Sequence, residues 1–116
     1  MNIEGEAKLL RVFVGESDKA GTVPIYEKIV TEARARGLAG ATVYKGIMGF
    51  GGNSRIRTSK ILMLSEDMPL VIEIADSADK IESFIPFVNK LFEKSNAGGL
   101  VTLEKAEIIR YSYNKK

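Results

Sequence analysis

The chain has 116 residues and a mass of 12.7 kDa; 45% of its residues are hydrophobic and 28% charged, with 17 Lys and Arg against 15 Asp and Glu and neither His nor Cys. A chain of this size buries roughly two-thirds of its unfolded surface, which suits one core and a single domain over residues 1–116. Without His and Cys, thiolate and imidazole metal sites, Cys nucleophiles, Ser-His-Asp triads, disulfides and iron–sulfur clusters are excluded. The net charge of +2 does not indicate nucleic acid. No apolar run reaches the roughly 18 residues that span a bilayer, and the N-terminus lacks a basic-then-apolar leader pattern, so a cytoplasmic protein is expected.

In chain order, Glu6 to Gly15 reads as a first strand, with Leu10, Val12 and Val14 on one face and Leu9, Arg11 and Phe13 on the other. From Thr22 the spacing turns helical: Tyr26, Ile29, Val30 and Ala33 predict a helix over Val23 to Arg36, capped by Thr22 and stopped by Gly37. Ala41 to Phe50 reads as a second strand, bulged by Gly46 and Gly49, and runs into a polar loop, Gly51 to Ser59. Two apolar runs follow, Lys60 to Leu64 and Leu70 to Ala75, split by a turn; the later one is the third strand. Ser77 caps a second helix carrying Ile81, Phe84, Ile85, Val88, Leu91 and Phe92, with Pro86 expected to kink it because proline removes the bond to the Glu82 carbonyl. Ser95 to Gly99 is a loop, and Leu100 to Tyr113 alternates as a final strand. The order β-α-β-β-α-β predicts an α+β, ferredoxin-like split βαβ sandwich, an antiparallel sheet with two helices on one face. Apolar residues on both faces of the first and last strands predict a closed homo-oligomer that covers the open face.

Two glycine clusters are candidate anion cradles. Gly46, Gly49, Gly51 and Gly52 allow backbone N–H groups to approach a phosphate, although they match neither a Walker A nor a G-x-G-x-x-G pattern and serve equally as bulge and hinge. Asn96, Gly98 and Gly99 form the second cluster and serve equally as a helix stop. The two loops need not be adjacent within one subunit but can face each other across a boundary. Arg55, Arg57, Lys60 and Arg110 are candidate phosphate partners, or solvated surface charges. Asp76 and Asp79 flank a helix N-terminus, where the dipole favours acids, and no metal site is expected. The glycines follow the second strand rather than the first, which separates them from the acylphosphatase loop, and strand one offers only Phe13 as a stacking aromatic, which separates the chain from RNA-recognition domains.

Gly37 to Gly51 (GLAGATVYKGIMGFG) resembles the second-strand signature of the PII nitrogen-regulatory signalling proteins, and IRTSKILMLSEDMPLVIEI resembles a short-loop PII-like branch. Ile72 to Ile74, the Gly98 and Gly99 loop, and Ile108 to Arg110 are similar to the third strand, the B-loop and the final strand of that family. The resemblance implies a non-enzymatic regulatory homotrimer that binds an adenine nucleotide in inter-subunit clefts, requires no further cofactor, and presents a loop to a protein partner. Carried over by position, Thr42 and Ala75 lie near the adenine. Gly49, Phe50, Gly51 and Gly52 form the loop base beside the ligand, Gly98 and Gly99 supply phosphate-binding backbone, and Arg110 pairs with phosphate. Asn53, Arg55, Arg57 and Lys60 fall in the partner and ligand loop. The chain departs from the family in its shorter loop, which lacks the tyrosine modified in some members, in Leu100 where a lysine belongs, in Ser112 where a second arginine belongs, and in Asn53 for a glutamine. Fewer cations favour AMP or ADP over a triphosphate. A trimer of the CutA type, structural or metal-responsive, shares the architecture and is the alternative.

Overall fold

The computed structural model describes residues 5–52, 56–58 and 67–113. At its centre is strand β1 (Gly5–Gly15), followed by a small pairing of β2 (Lys19–Ala20) with β3 (Val23–Pro24) and by helix α1 (Ile25–Ala35). Strand β4 (Thr42–Lys45), a second small pairing of β5 (Met48–Gly49) with β6 (Arg57–Thr58), strand β7 (Pro69–Asp76), helix α2 (Ala78–Ser95) and strand β8 (Leu100–Ile108) complete the chain. The main sheet is antiparallel in the order β4-β7-β1-β8, with Val12 opposite Ile72 on one side and Val101 on the other, and Thr42 opposite Glu73. This is the ferredoxin-like arrangement expected from the element order.

Side chains alternate across a strand, so β1 and β7 each send one set to the helices. Leu10, Val12, Val14, Leu70, Ile72 and Ile74 are at most 5% exposed and pack with Ile25, Ile29 and Ala33 of α1 and Ile81, Phe84, Val88 and Leu91 of α2. The complementary set, Leu9, Arg11, Phe13, Val71, Glu73 and Ala75, forms the face without helices. Arg11 crosses it, donating to Glu73 on β7 at 2.8 Å and pairing with Glu104 on β8; the bond to Glu73 is the main reason the guanidinium is held above its ordinary pKa.

Several boundaries differ from the sequence reading. The second strand breaks at Gly46, which lies beside Pro69: the Gly46 N–H donates to the Pro69 carbonyl at 2.7 Å, but proline has no N–H with which to extend the ladder. Residues 48–49 then pair with β6 outside the main sheet. Thr22 does not cap α1; Pro24 occupies the N-cap without a side-chain bond, and Val23 is in β3. Gly37 does stop α1, at φ +76°, in a Schellman arrangement in which Leu38 N–H donates to Ala33 O at 3.0 Å and Gly37 N–H to Arg34 O at 3.1 Å. Ser77 caps α2 by accepting from Lys80 N–H at 3.4 Å, and the helix continues through Pro86. It ends on Asn96, left-handed at φ 59°, and not on Gly98 or Gly99. β8 stops at Ile108, opposite Gly5, so residues 109–113 leave the sheet. The apolar run Lys60 to Leu64 lies outside the described residues. No helix among the described residues is long and apolar enough to cross a membrane.

Candidate functional site

At the Asp76 end of the sheet, the face without helices deepens into a groove of about 610 Å³. Strand register lays its floor: Leu9 of β1 stands opposite Ala75 of β7, and Glu73 of β7 opposite Thr42 of β4. The segment Ala39–Gly40–Ala41 forms one wall, and Glu107 to Tyr111, where the chain leaves β8, forms the other. Thr42, Ala75 and Arg110, three residues singled out from the sequence, thus line one cavity although they come from three distant parts of the chain. The mixture of an apolar floor, exposed backbone and a few polar groups suits a flat, largely apolar ring with a polar rim. Glu73 and Glu107 add negative charge, but Glu73 is neutralised by Arg11.

The first wall is held from both sides. Asp76, the last residue of β7, is completely buried and turns toward the helix layer, where its carboxylate accepts from Ala39 N–H at 2.9 Å and from Ser77 N–H at 2.6 Å. The expectation that Asp76 simply serves the helix dipole was therefore too narrow: it also ties the α1–β4 connection to the start of α2. Lys80 Nζ donates to Gly37 O at 2.9 Å across the same junction. From the groove side, the Tyr111 hydroxyl donates to the Ala39 carbonyl at 3.0 Å.

The remaining predicted residues that fall among the described ones lie at the opposite end of the sheet. Gly49 is beside Pro69, and neighbouring Phe50 is 71% exposed; a Cβ added at Gly51 or Gly52 would meet nothing within 4 Å. Gly98 is equally open, whereas Gly99 packs against Phe92 and the Phe13 carbonyl. Since β4 and β8 are opposite edges, three strand spacings or roughly 14 Å separate these loops, and they do not converge within one chain. Arg57 is 20% exposed at its side chain, with Nε 3.1 Å from Asp67 Oδ2, so its charge is already engaged at the neck of the loop. Asn53, Arg55 and Lys60 fall outside the described residues. Among the described residues no three acidic side chains come together as a metal site would require.

Sequence reasoning missed Leu9, Glu73, Ala39 to Ala41 and Tyr111 as parts of one site. The alternation of strand one did place Leu9 on the correct face, and the short Leu-Ala-Gly connection after Gly37 signalled a tight return to the sheet. Nothing local pointed to Tyr111.

Comparison with known proteins agrees with this architecture. A UPF0166 protein of Aquifex aeolicus (strain VF5) is 38% identical over 102 residues, covering 88% of this chain and 92% of that protein. Among solved structures, CPII from Thiomonas intermedia K12, a nitrogen regulatory PII-like protein bound to ADP, AMP and bicarbonate, superposes with a TM-score of 0.70 at 16% identity, covering 90% of each chain. A phage SAM lyase in complex with S-methyl-5′-thioadenosine aligns with a TM-score of 0.51 at 16% identity, covering 97% of this chain and 92% of the lyase. The ferredoxin-like sandwich is thus the PII-like fold, and the family profile described as DUF190, Uncharacterized ACR, COG1993 matches residues 7–108, so the chain belongs to that family.

Proposed function

We propose that the chain is a non-enzymatic regulatory protein of the cytoplasm that binds an adenosine-containing nucleotide, AMP or ADP in preference to ATP, and signals occupancy through the loop that begins at Gly51. The observation that carries the reading is the meeting of Thr42, Ala75 and Arg110 in one groove, beside the apolar Leu9 and with the cation of Arg110 in its lining. The ligands named for the two structural neighbours, ADP and AMP in one and S-methyl-5′-thioadenosine in the other, have the adenosyl group in common, and this supports a groove suited to that group. The glycine loops at the far end of the sheet are assigned to the phosphates of a ligand held between subunits of a homotrimer. Binding there would bias the loop between conformations and so alter a partner surface.

Titration calorimetry with AMP, ADP, ATP, cyclic AMP and S-adenosylmethionine, with mass by light scattering in the same buffer, tests this directly. The expected result is a trimer that binds one AMP or ADP per subunit. A monomer at micromolar concentration, or a trimer indifferent to every nucleotide, would overturn the reading; a response to divalent ions alone would favour the CutA-type alternative. Turnover of S-adenosylmethionine would show an enzyme. A second result is expected of Gly51→Val. Its side chain enters open space in the single chain, so the melting temperature should stay unchanged while ADP affinity falls by at least about tenfold, because β-branched bulk fills the space assigned to ligand. Unchanged affinity would remove the loop base from the site.

A further inference from the structure

We propose that residues 109–113 act as a strap clipped by Tyr111, which holds the Ala39–Ala41 wall of the groove in its ligand-ready position, and that Tyr111 is a positioning residue for ligand affinity. The ligand half of this inference rests on the nucleotide reading above; the strap itself does not.

Residues 109–113 lie outside β8, yet the chain does not run away from the molecule: Ile109, Arg110 and Tyr111 all line the groove. Burial holds this segment only at Tyr111, which is 38% exposed, whereas Ile109 is 80% and Tyr113 68% exposed. The specific tie is the Tyr111 hydroxyl on the Ala39 carbonyl, 72 positions away in sequence. Tyr113 lies against the Tyr111 ring, with centroids 6.1 Å apart, which restricts the phenol to fewer orientations.

The tie has leverage because of what it holds. Ala39 donates its N–H to buried Asp76 and receives the Tyr111 proton at its carbonyl, so the two peptide groups flanking its Cα are fixed from opposite sides. The next residue is Gly40, with open space where a Cβ would be, and the backbone is correspondingly free to swing if one tie is lost. The Asp76 tie is completely buried and belongs to the folded core. The Tyr111 tie sits on a segment outside the sheet, so opening it would disturb no helix or main-sheet pairing. A ligand lying between the 39–41 wall and the 109–111 wall touches both ends of this bond, so occupancy and strap closure favour each other.

The test uses the full chain, unaltered and as Tyr111→Phe, with Tyr26→Phe on α1 as a control. Tyr111→Phe removes one hydroxyl and preserves the ring contact with Tyr113. It should weaken binding of AMP and ADP alike by roughly three- to tenfold, the range for one neutral hydrogen bond, with the melting temperature unchanged. In the ligand-free chain, amides of residues 38–41 should exchange with deuterium faster in Tyr111→Phe than in the unaltered chain. The chain has four tyrosines and no tryptophan, so saturating ADP should change tyrosine emission in the unaltered and Tyr26→Phe chains, with most of that change lost in Tyr111→Phe. Equal affinity in Tyr111→Phe, or unchanged exchange at 38–41, overturns the strap. If the unaltered chain binds neither AMP nor ADP, the nucleotide reading falls and takes the affinity role of Tyr111 with it, while the exchange rates still decide whether the strap exists.

Discussion

Asp76→Ala should lower the unfolding free energy by about 3 kcal/mol, the sum expected when two N–H groups lose a charged acceptor in a buried site. The carboxylate is completely buried and meets Ala39 N–H at 2.9 Å and Ser77 N–H at 2.6 Å. Bonds to an ionised acceptor are stronger than neutral ones, and the N-terminus of α2 adds a favourable dipole, which together offset the desolvation of the charge. Alanine leaves both donors facing a cavity too small to hydrate them well. For a chain of this length that loss corresponds to a fall of roughly 9–15 °C in melting temperature. Asp76→Asn separates the contributions. Its single carbonyl satisfies one N–H while its amide group presents hydrogens to the other, so it should lose about half as much. Denaturant titration followed by circular dichroism measures both. If Asp76→Ala melts with the unaltered chain, the carboxylate does not tie the α1–β4 connection to α2. In the expected case the Ala39 wall loosens as well, so Asp76→Ala should impair ligand binding as Tyr111→Phe does, but with a loss of stability that Tyr111→Phe does not show.

What could be read from the sequence was what neighbouring residues decide together. The helical period of Ile81, Phe84, Ile85, Val88, Leu91 and Phe92 predicted the buried side of α2; Ile81, Phe84, Val88 and Leu91 are buried, and Ile85 and Phe92 are half-buried at its margin. Gly37 predicted the end of α1 because a left-handed residue after a helical run is a local requirement, and its φ is +76°. The errors arose where a distant residue decides. Nothing between Ala41 and Phe50 reveals that Pro69 stands opposite Gly46 and interrupts the ladder. Likewise the final apolar alternation continues to Tyr113, but β8 ends at Ile108, whose register position opposite Gly5 no pattern in the last residues reveals. Asn96, not Gly98 or Gly99, ends α2 in the left-handed conformation, which asparagine also tolerates. The groove was legible only in part. Thr42 and Ala75 came from family resemblance alone, and Arg110 from its charge as well, since no periodicity connects the three; Tyr111 and Asp76 act through bonds to Ala39 that only the folded chain creates.

The adjacent glycines before β8 should respond oppositely to the same substitution. A Cβ built on Gly99 would lie 2.4 Å from Cε1 and 2.6 Å from Cζ of Phe92, and 2.9 Å from the Phe13 carbonyl oxygen. The ring can move only by opening the contact between the last turns of α2 and the sheet, and the Phe13 oxygen is backbone in a central strand, fixed by its pairing with Leu100. Overpacking of this kind costs about 1–3 kcal/mol for Gly99→Ala, and Gly99→Val should lie at or above the top of that range. At Gly98 nothing lies within 4 Å of the same atom, and its φ is outside the left-handed region, so alanine fits without strain. Gly98→Ala should therefore be neutral or stabilising by up to about 1 kcal/mol, because alanine reduces the freedom of the unfolded chain. Equilibrium unfolding in urea, compared at 25 °C, separates the pair. A Gly99→Ala chain as stable as Gly98→Ala would mean that Phe92 yields freely and that α2 is not locked to the start of β8. The same pair also divides packing from ligand contact in this loop: a fall in ADP affinity in Gly98→Ala at full stability assigns backbone near Gly98 to the ligand, whereas a fall confined to Gly99→Ala reports only the displaced strand.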